Sequence, residues 1–292
     1  MDARAATATF SLGNVFSTGL PVWAMAIGAG LCLCLIGALI VLARPKTRHS
    51  RPIDTFAELK RKADEQDDAK ACRGVFLMLH EGRGVARDPK AADHYRLRAI
   101  RLYKAEARNE DPHACVRVAE LTDHGRRGPP SDEADPYYHK ALTLYEPLAR
   151  RGDPHALFVL GHLYCHGYGC KQNFDTAIGY WEMAAAARSV LAMKRLGELF
   201  GTGGAKADAV KSMAWWRAAA LTGDAEAQEK VGDGYRDNLG EPSHREEAYR
   251  WYAHAARRGR HGVKAKLEQI EKDWTPAQLM EVQNRLKTWT PA

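Results

Sequence analysis

The sequence predicts an all-α fold: one transmembrane helix followed by an α-solenoid, a stack of antiparallel helix pairs. Three observations carry this reading. Residues 20–43 form an apolar run with no charged residue and no Asn, Gln or His. Beyond it, a pattern of small and aromatic residues returns every 35 or 36 positions. Asp111-Pro112 and Asp153-Pro154 each place a capping carboxylate just ahead of a proline suited to a first helical turn, and Thr275-Pro276 repeats the device.

The apolar run comes first in the chain. Its 24 residues make a helix about 36 Å long, enough to cross a hydrocarbon layer of about 30 Å with some tilt. Pro21 suits the first turn and Trp23 the headgroup level. A cleaved signal peptide ending at Val41-Leu42-Ala43 fits less well, because the run exceeds the length of a signal core and Arg4 stands far from it. Gly28, Gly30 and Gly37, with Ala29 and Ala38, give the helix a small-residue side, which leaves self-association through the span as an alternative to a single helix.

The flanks set the orientation. Arg44, Lys46, Arg48 and Arg51 follow the span with no acid among them, whereas residues 1–19 carry only Arg4 against Asp2. The positive-inside tendency therefore places the tail at 1–19 outside and everything from residue 44 on in the cytoplasm of a bacterial inner-membrane protein. Residues 44–53 are the basic linker and residues 54–292 the helical domain. The cysteines agree with a reducing compartment: Cys72, Cys115, Cys165 and Cys170 lie at unequal intervals without a CxxC pair.

In the helical domain three segments align: Ala156 to Tyr164, Ala192 to Phe200 and Ala227 to Tyr235, with Gly161, Gly197 and Gly232 in one register. Each is followed by an aromatic pair and two alanines: Tyr180-Trp181 with Ala184-Ala185, Trp215-Trp216 with Ala219-Ala220, and Trp251-Tyr252 with Ala255-Ala256. Ala156, Leu160 and Leu163 recur at helical spacing and make one apolar face. Gly152, Gly223 and Gly259 fit helix C-terminal caps. Upstream, residues 71–95 and 111–149 fit the same template, the second with a longer loop. Five units result, with a half-helix from Asp54 to about Asp64 before them and another from Pro276 to about Trp289 after. Pro147 is expected to kink or end its helix near Tyr145.

Leu-Gly-x-Leu-Tyr-x-x-Gly-x-Gly at residues 160–169, the Gly-x-Gly-Val run at residues 82–85 with Asp88 and Ala91 after it, and the aromatic pairs followed by Ala-Ala resemble the Sel1-like repeat family. That family is related to the tetratricopeptide repeats, and the resemblance covers about residues 68–262. Residues 274–286 look like the closing helix of its bacterial members. The resemblance implies a right-handed superhelix that serves as a protein-binding scaffold.

Few constellations carry the residue types of chemistry. His162, Cys165, His166 and Cys170 have those of a zinc site, but Cys170 occupies the place of a buried apolar residue in the turn, so no metal is assigned. Gly82-x-Gly84 and Gly167-x-Gly169 are read as turn glycines and not as phosphate cradles. No catalytic constellation or cofactor fingerprint stands out, and the chain is expected to be no enzyme and to bind no cofactor. Among 292 residues, 43 Lys and Arg against 36 Asp and Glu give a net charge of +7. Of this, Arg44, Lys46, Arg48 and Arg51 supply a concentrated share beside the span, so no nucleic-acid partner is expected. Two basic runs, Arg96, Arg98, Arg101, Lys104, Arg108 and Arg257, Arg258, Arg260, His261, Lys264, Lys266, read as solvated faces.

The expected function is that of a scaffold or adaptor that recruits other proteins at the membrane. Its binding residues are predicted on the side of each first helix that points away from the apolar face: Arg117, Glu120, His162, Arg195, Glu198, Lys230 and Asp233. A periplasmic adaptor of envelope machinery and a regulatory subunit of a membrane enzyme are the alternatives.

Overall fold

The computed structural model describes residues 52–126, 128–201, 206–237 and 242–289. The chain separates into two units, residues 1–55 and 56–292, and all of the helical repeats belong to the second. The expected span, its small-residue side and the basic cluster at residues 44–51 lie outside the described residues. Among the described residues no helix is long and apolar enough to cross a membrane.

The described residues form thirteen α-helices and no strand. Helix α1 (Pro52–Gln66) leads into five pairs: α2 (Ala69–Glu81) with α3 (Pro89–Arg108), α4 (Pro112–Thr122) with α5 (Asp135–Arg150), α6 (Pro154–His166) with α7 (Phe174–Ala186), α8 (Val190–Gly201) with α9 (Ala209–Leu221), and α10 (Ala225–Asp237) with α11 (Pro242–Arg257). A 3₁₀ turn at His261–Val263, α12 (Lys264–Glu271) and α13 (Pro276–Thr288) close the stack. Substantial helix–helix contacts join helices adjacent in the chain, as a solenoid requires.

Local chemistry starts the helices. The carboxylates of Asp111 and Asp153 accept the backbone N–H of Ala114 and Ala156, each ahead of the expected proline. Asp68, Asp88, Asn173 and Asp208 do the same work for α2, α3, α7 and α9. Thr275 and Gln278 form a reciprocal capping box at α13. At the other ends, Gly152, Gly223 and Gly259 take φ of 80°, 93° and 88°, the left-handed conformation read from the sequence. Pro147 does not end its helix, since α5 runs through it to Arg150. Its ring faces solvent in the last turn, as does Thr143 four residues earlier, so water can satisfy the carbonyl that loses its partner.

Packing within a pair is a glycine–aromatic lock. Trp181 of α7 lies against Gly161 of α6, so close that a side chain at 161 would overlap the indole, and its Nε1 donates to the Phe158 carbonyl at 3.1 Å. In the next units a Cβ at Gly197 would stand 2.8 Å from Trp216, and one at Gly232 2.6 Å from Tyr252. The first unit departs from this lock, with Phe76 at the glycine position and Arg96 at the tryptophan position. The core built this way is continuous from Ala63 to Trp251, and a second cluster joins α11 to α12 and α13 through Tyr249, Tyr252, Val263, Ile270, Val282 and Leu286.

Candidate functional site

The predicted binding residues sit on the first helices α4, α6, α8 and α10, where the core-facing positions are taken by small and aliphatic side chains such as Ala114, Ala156, Leu160, Ala192 and Ala227. In register, a cation stands one turn before an acid on α4 (Arg117, Glu120), α8 (Arg195, Glu198) and α10 (Lys230, Asp233). On α6 the same places hold Val159 and His162.

The charges are largely satisfied within the chain. Arg117 bonds Glu120 at 2.5 Å and Arg195 bonds Glu198 at 2.7 Å, both as i,i+3 pairs open to solvent. Such pairs add only about 0.3–0.5 kcal/mol, so a partner can exchange them at small cost. Asp233 departs from the sequence reading of a groove residue. Its carboxylate accepts Tyr252 Oη at 2.7 Å and Lys266 Nζ at 2.6 Å, and Arg236 stands 3.4 Å away, so it is committed to the packing of the fifth unit. Lys230 is exposed and forms no ion pair among the described residues.

His162 is half-buried between its neighbours and not a freely solvated groove residue. Its ring centroid lies 4.2 Å from that of His166 and 6.0 Å from that of Tyr168. Burial, with His166 and Arg195 adding repulsion, pushes its pKa down to about 4. The uncharged imidazole is therefore the folded form at neutral pH. Because the unfolded ring protonates near 6.5, stability present above that pH is lost progressively as pH falls toward 4. Denaturant midpoints measured from pH 7 to pH 4 should fall less steeply in His162→Gln than in the unchanged protein.

Two features of this face escape a sequence reading. His113 and His155, at matching positions of α4 and α6, stack with centroids 4.5 Å apart, and His155 Nε2 lies 3.2 Å from His113 Nδ1. One ring must donate and the other accept, which ties the second unit to the third. Glu120 and His162 share one pocket of about 300 Å³ with Asp123, His124, Tyr138 and Tyr168, whereas Lys230 and Asp233 line a different and larger concavity with α9. The seven predicted residues thus form a discontinuous strip and not one cleft.

The basic runs are also more structured than solvated faces. Arg98 reaches Asp64 and Asp67 of α1 and the turn after it, Lys104 reaches Glu133, and both Arg260 and Lys266 bond Glu229. Around the zinc-like constellation, Cys170 Sγ points at the Leu163 carbonyl at 3.9 Å and the His166 ring contacts the His162 carbonyl at 2.9 Å. No group of three or more His, Cys, Asp or Glu among the described residues is placed to hold a metal ion. Burial raises the thiols of Cys72, Cys115, Cys165 and Cys170 above their ordinary value, which keeps them protonated and poorly nucleophilic.

The Sel1 repeat family model matches residues 69–104, 112–153, 154–189, 190–224 and 225–259. Each segment begins at or beside the first residue of a first helix. No curated protein matches the chain. Among solved structures, a Sel1 repeat protein from Oxalobacter formigenes is similar at 25% identity, with a TM-score of 0.44 over 74% of this chain and 84% of that one. The immunity protein Pa5087 from Pseudomonas aeruginosa is similar at 19% identity, with a TM-score of 0.43 over 75% of this chain and 78% of that one. The protective antigen c5321 of uropathogenic Escherichia coli, described as displaying an SLR fold, is similar at 18% identity and a TM-score of 0.41 over 75% of this chain, which spans 56% of the antigen. Sel1 repeats in general mediate protein–protein interaction. With five matched repeats covering more than half of its length, the chain belongs to the Sel1 repeat family.

Proposed function

We propose that the chain is a membrane-anchored scaffold that recruits or assembles partner proteins at the bacterial inner membrane, with its repeats on the cytoplasmic side. The observation that carries the binding role is the strip on consecutive first helices: the Arg117–Glu120 and Arg195–Glu198 pairs flank the neutral Val159 and His162 of α6. A partner segment with charged residues on either side of an apolar one would meet its complement on that strip. Exposed i,i+3 pairs provide charge at defined positions without a large desolvation cost. The anchoring rests on the uncharged residues 20–43 and the four bases at 44, 46, 48 and 51.

Two measurements test this reading. Full-length chains bearing Arg117→Glu, Arg195→Glu and Lys230→Glu are crosslinked in cells beside the unchanged protein, and the captured partners are compared. Loss of specific partners from the triple variant is the expected result, and an identical set removes the strip as the binding surface. A reporter active only outside the cytoplasm, fused to the C-terminus, should stay silent. Activity there would place the repeats in the periplasm.

A further inference from the structure

The last two units differ in one respect that their registers make directly comparable. Advancing 36 positions from α9 to α11 superposes Trp216 on Tyr252 and Ala219-Ala220 on Ala255-Ala256, so Val210, Met213, Ala214 and Ala218 correspond to Glu246, Tyr249, Arg250 and His254. On α11 this face is covered from within the chain. Arg285 of α13 bonds Glu246 at 3.2 Å, Gln283 donates to Tyr249 Oη at 3.4 Å, and Trp274 packs edge-on against Tyr249. Just past α13, Trp289 lies against His254, with centroids 4.9 Å apart, and under the guanidinium of Arg250.

On α9 the same face is covered only at its middle, where Met213 is half-buried against Gly234 of α10, and is open at Val210, Ala214 and Leu221. Val210 is 80% exposed and Leu221 48% exposed, whereas Tyr249, the counterpart of Met213, is 5% exposed. Val210, Met213, Ala214, Ala218 and Leu221 recur at helical spacing and line a concavity of about 1150 Å³ between α9 and α10. Its floor is more apolar than the covered face of α11, since three polar or charged side chains there are aliphatic here. The lip is not neutral. Asp208 is engaged by Lys211, Asp233 by Tyr252 and Lys266, and Asp237 by Arg236; Arg217 adds a second cation to the rim, and Lys230 is a lip charge without an ion pair among the described residues.

We infer that the α9 face is a docking site for an amphipathic helix of a partner protein, laid on it as α13 is laid on α11. The partner presents apolar side chains at i, i+3 or i+4 and i+7 toward Val210, Met213 and Leu221, and an acidic residue toward Lys230. The inference rests on the reading of the solenoid as a binding module; its surface shares Lys230 and Asp233 with the predicted binding residues but is separate from the Arg117–Glu120 and Arg195–Glu198 pairs.

The test uses a synthetic peptide of residues 274–289 as probe. It carries Arg285→Leu, because the partner of Arg285, Glu246, is Val210 at this site, and Lys287→Glu to supply the acid. Binding to the full-length chain is followed by isothermal titration. The expected result is saturable binding that Val210→Glu weakens about tenfold or more, since a charge is driven into an apolar contact. Lys230→Glu should weaken it by a smaller factor, and Arg117→Glu with Arg195→Glu should leave it unchanged. Val210 is so exposed that its substitution leaves the fold intact, which circular dichroism checks. Absence of binding at about 100 μM peptide, or equal binding by Val210→Glu, overturns the inference. So does a change in the oligomeric state of the chain on Val210→Glu, which would make a second copy the occupant. Loss of binding in the Arg117→Glu, Arg195→Glu variant would overturn it too, moving the helix to the charged strip while leaving the scaffold reading standing.

Discussion

Trp181→Ala should cost the protein about 3–5 kcal/mol, read as a fall in denaturant midpoint at unchanged slope if unfolding stays cooperative. Trp181 is among the largest fully buried side chains of the protein, and its loss does two things at once. It opens a cavity against Gly161, which has no side chain to fill the space, and it removes the donor bonded to the Phe158 carbonyl. The reciprocal change, Gly161→Ala, should cost about 1–3 kcal/mol through overpacking, because the new methyl overlaps the indole. Combining the two should recover part of the loss, since the methyl then occupies space the indole has left. Simple additivity in the double variant would show that the two positions are not in contact.

Deletion of residues 274–292 should have the second large effect. It uncovers Tyr249, Trp251 and His254 on α11 and removes Val282 and Leu286 from the terminal cluster. End units of a solenoid have one neighbour in place of two, so they depend on a cap with a polar outer face. Helix α13 supplies it: Val282 and Leu286 point inward while Glu281, Asn284 and Arg285 face solvent. The expected outcome is a shortened chain whose fifth unit exchanges its amide hydrogens rapidly while α4 to α7 keep their protection, together with a tendency to aggregate through the exposed aromatic face. Uniform loss of protection along the chain would show that the repeats unfold as one block.

Much of this architecture can be read from residue types alone, for physical reasons. The Asp-Pro caps act within three residues, and Asp111, Asp153 and Thr275 cap where the local sequence places them. The glycine at 161, 197 and 232 and the aromatic about twenty residues on are both required by one close approach, so they recur together. Pro147 defeats such a reading because its effect depends on exposure, which the local sequence does not encode. The binding strip is legible in position and less so in character. His162 has the residue type of a titrating surface group, but neighbours from the same and the next turn remove it from water. Asp233 looks identical to Glu198 in the repeat, yet Lys266 arrives from α12, beyond the repeats.

The ion pairs between units escape a reading by residue type, although the sequence contains their signal. Arg98 with Asp67, Lys206 with Asp175, Lys194 with Glu226 and Arg260 with Glu229 each join opposite charges 31 or 32 positions apart, a little less than one repeat. Opposite charges at that offset meet across consecutive units, as Lys104 and Glu133 do at 29. A scan for charge pairs at the repeat offset finds them, whereas the usual search for helical i,i+4 pairs does not.

The concentration of helix–helix contacts between helices adjacent in the chain also bears on how the protein is made. Mean sequence separation between touching residues stays small, which places the domain among low contact-order folds that form quickly. Each pair can close as soon as its second helix leaves the ribosome, with nothing still to be synthesised needed for its packing except the next neighbour. The exception is the last unit, whose lid is the final helix of the described chain. During synthesis the aromatic face of α11 therefore waits uncovered until α13 appears, and that interval is where chaperones would be expected to engage the nascent chain.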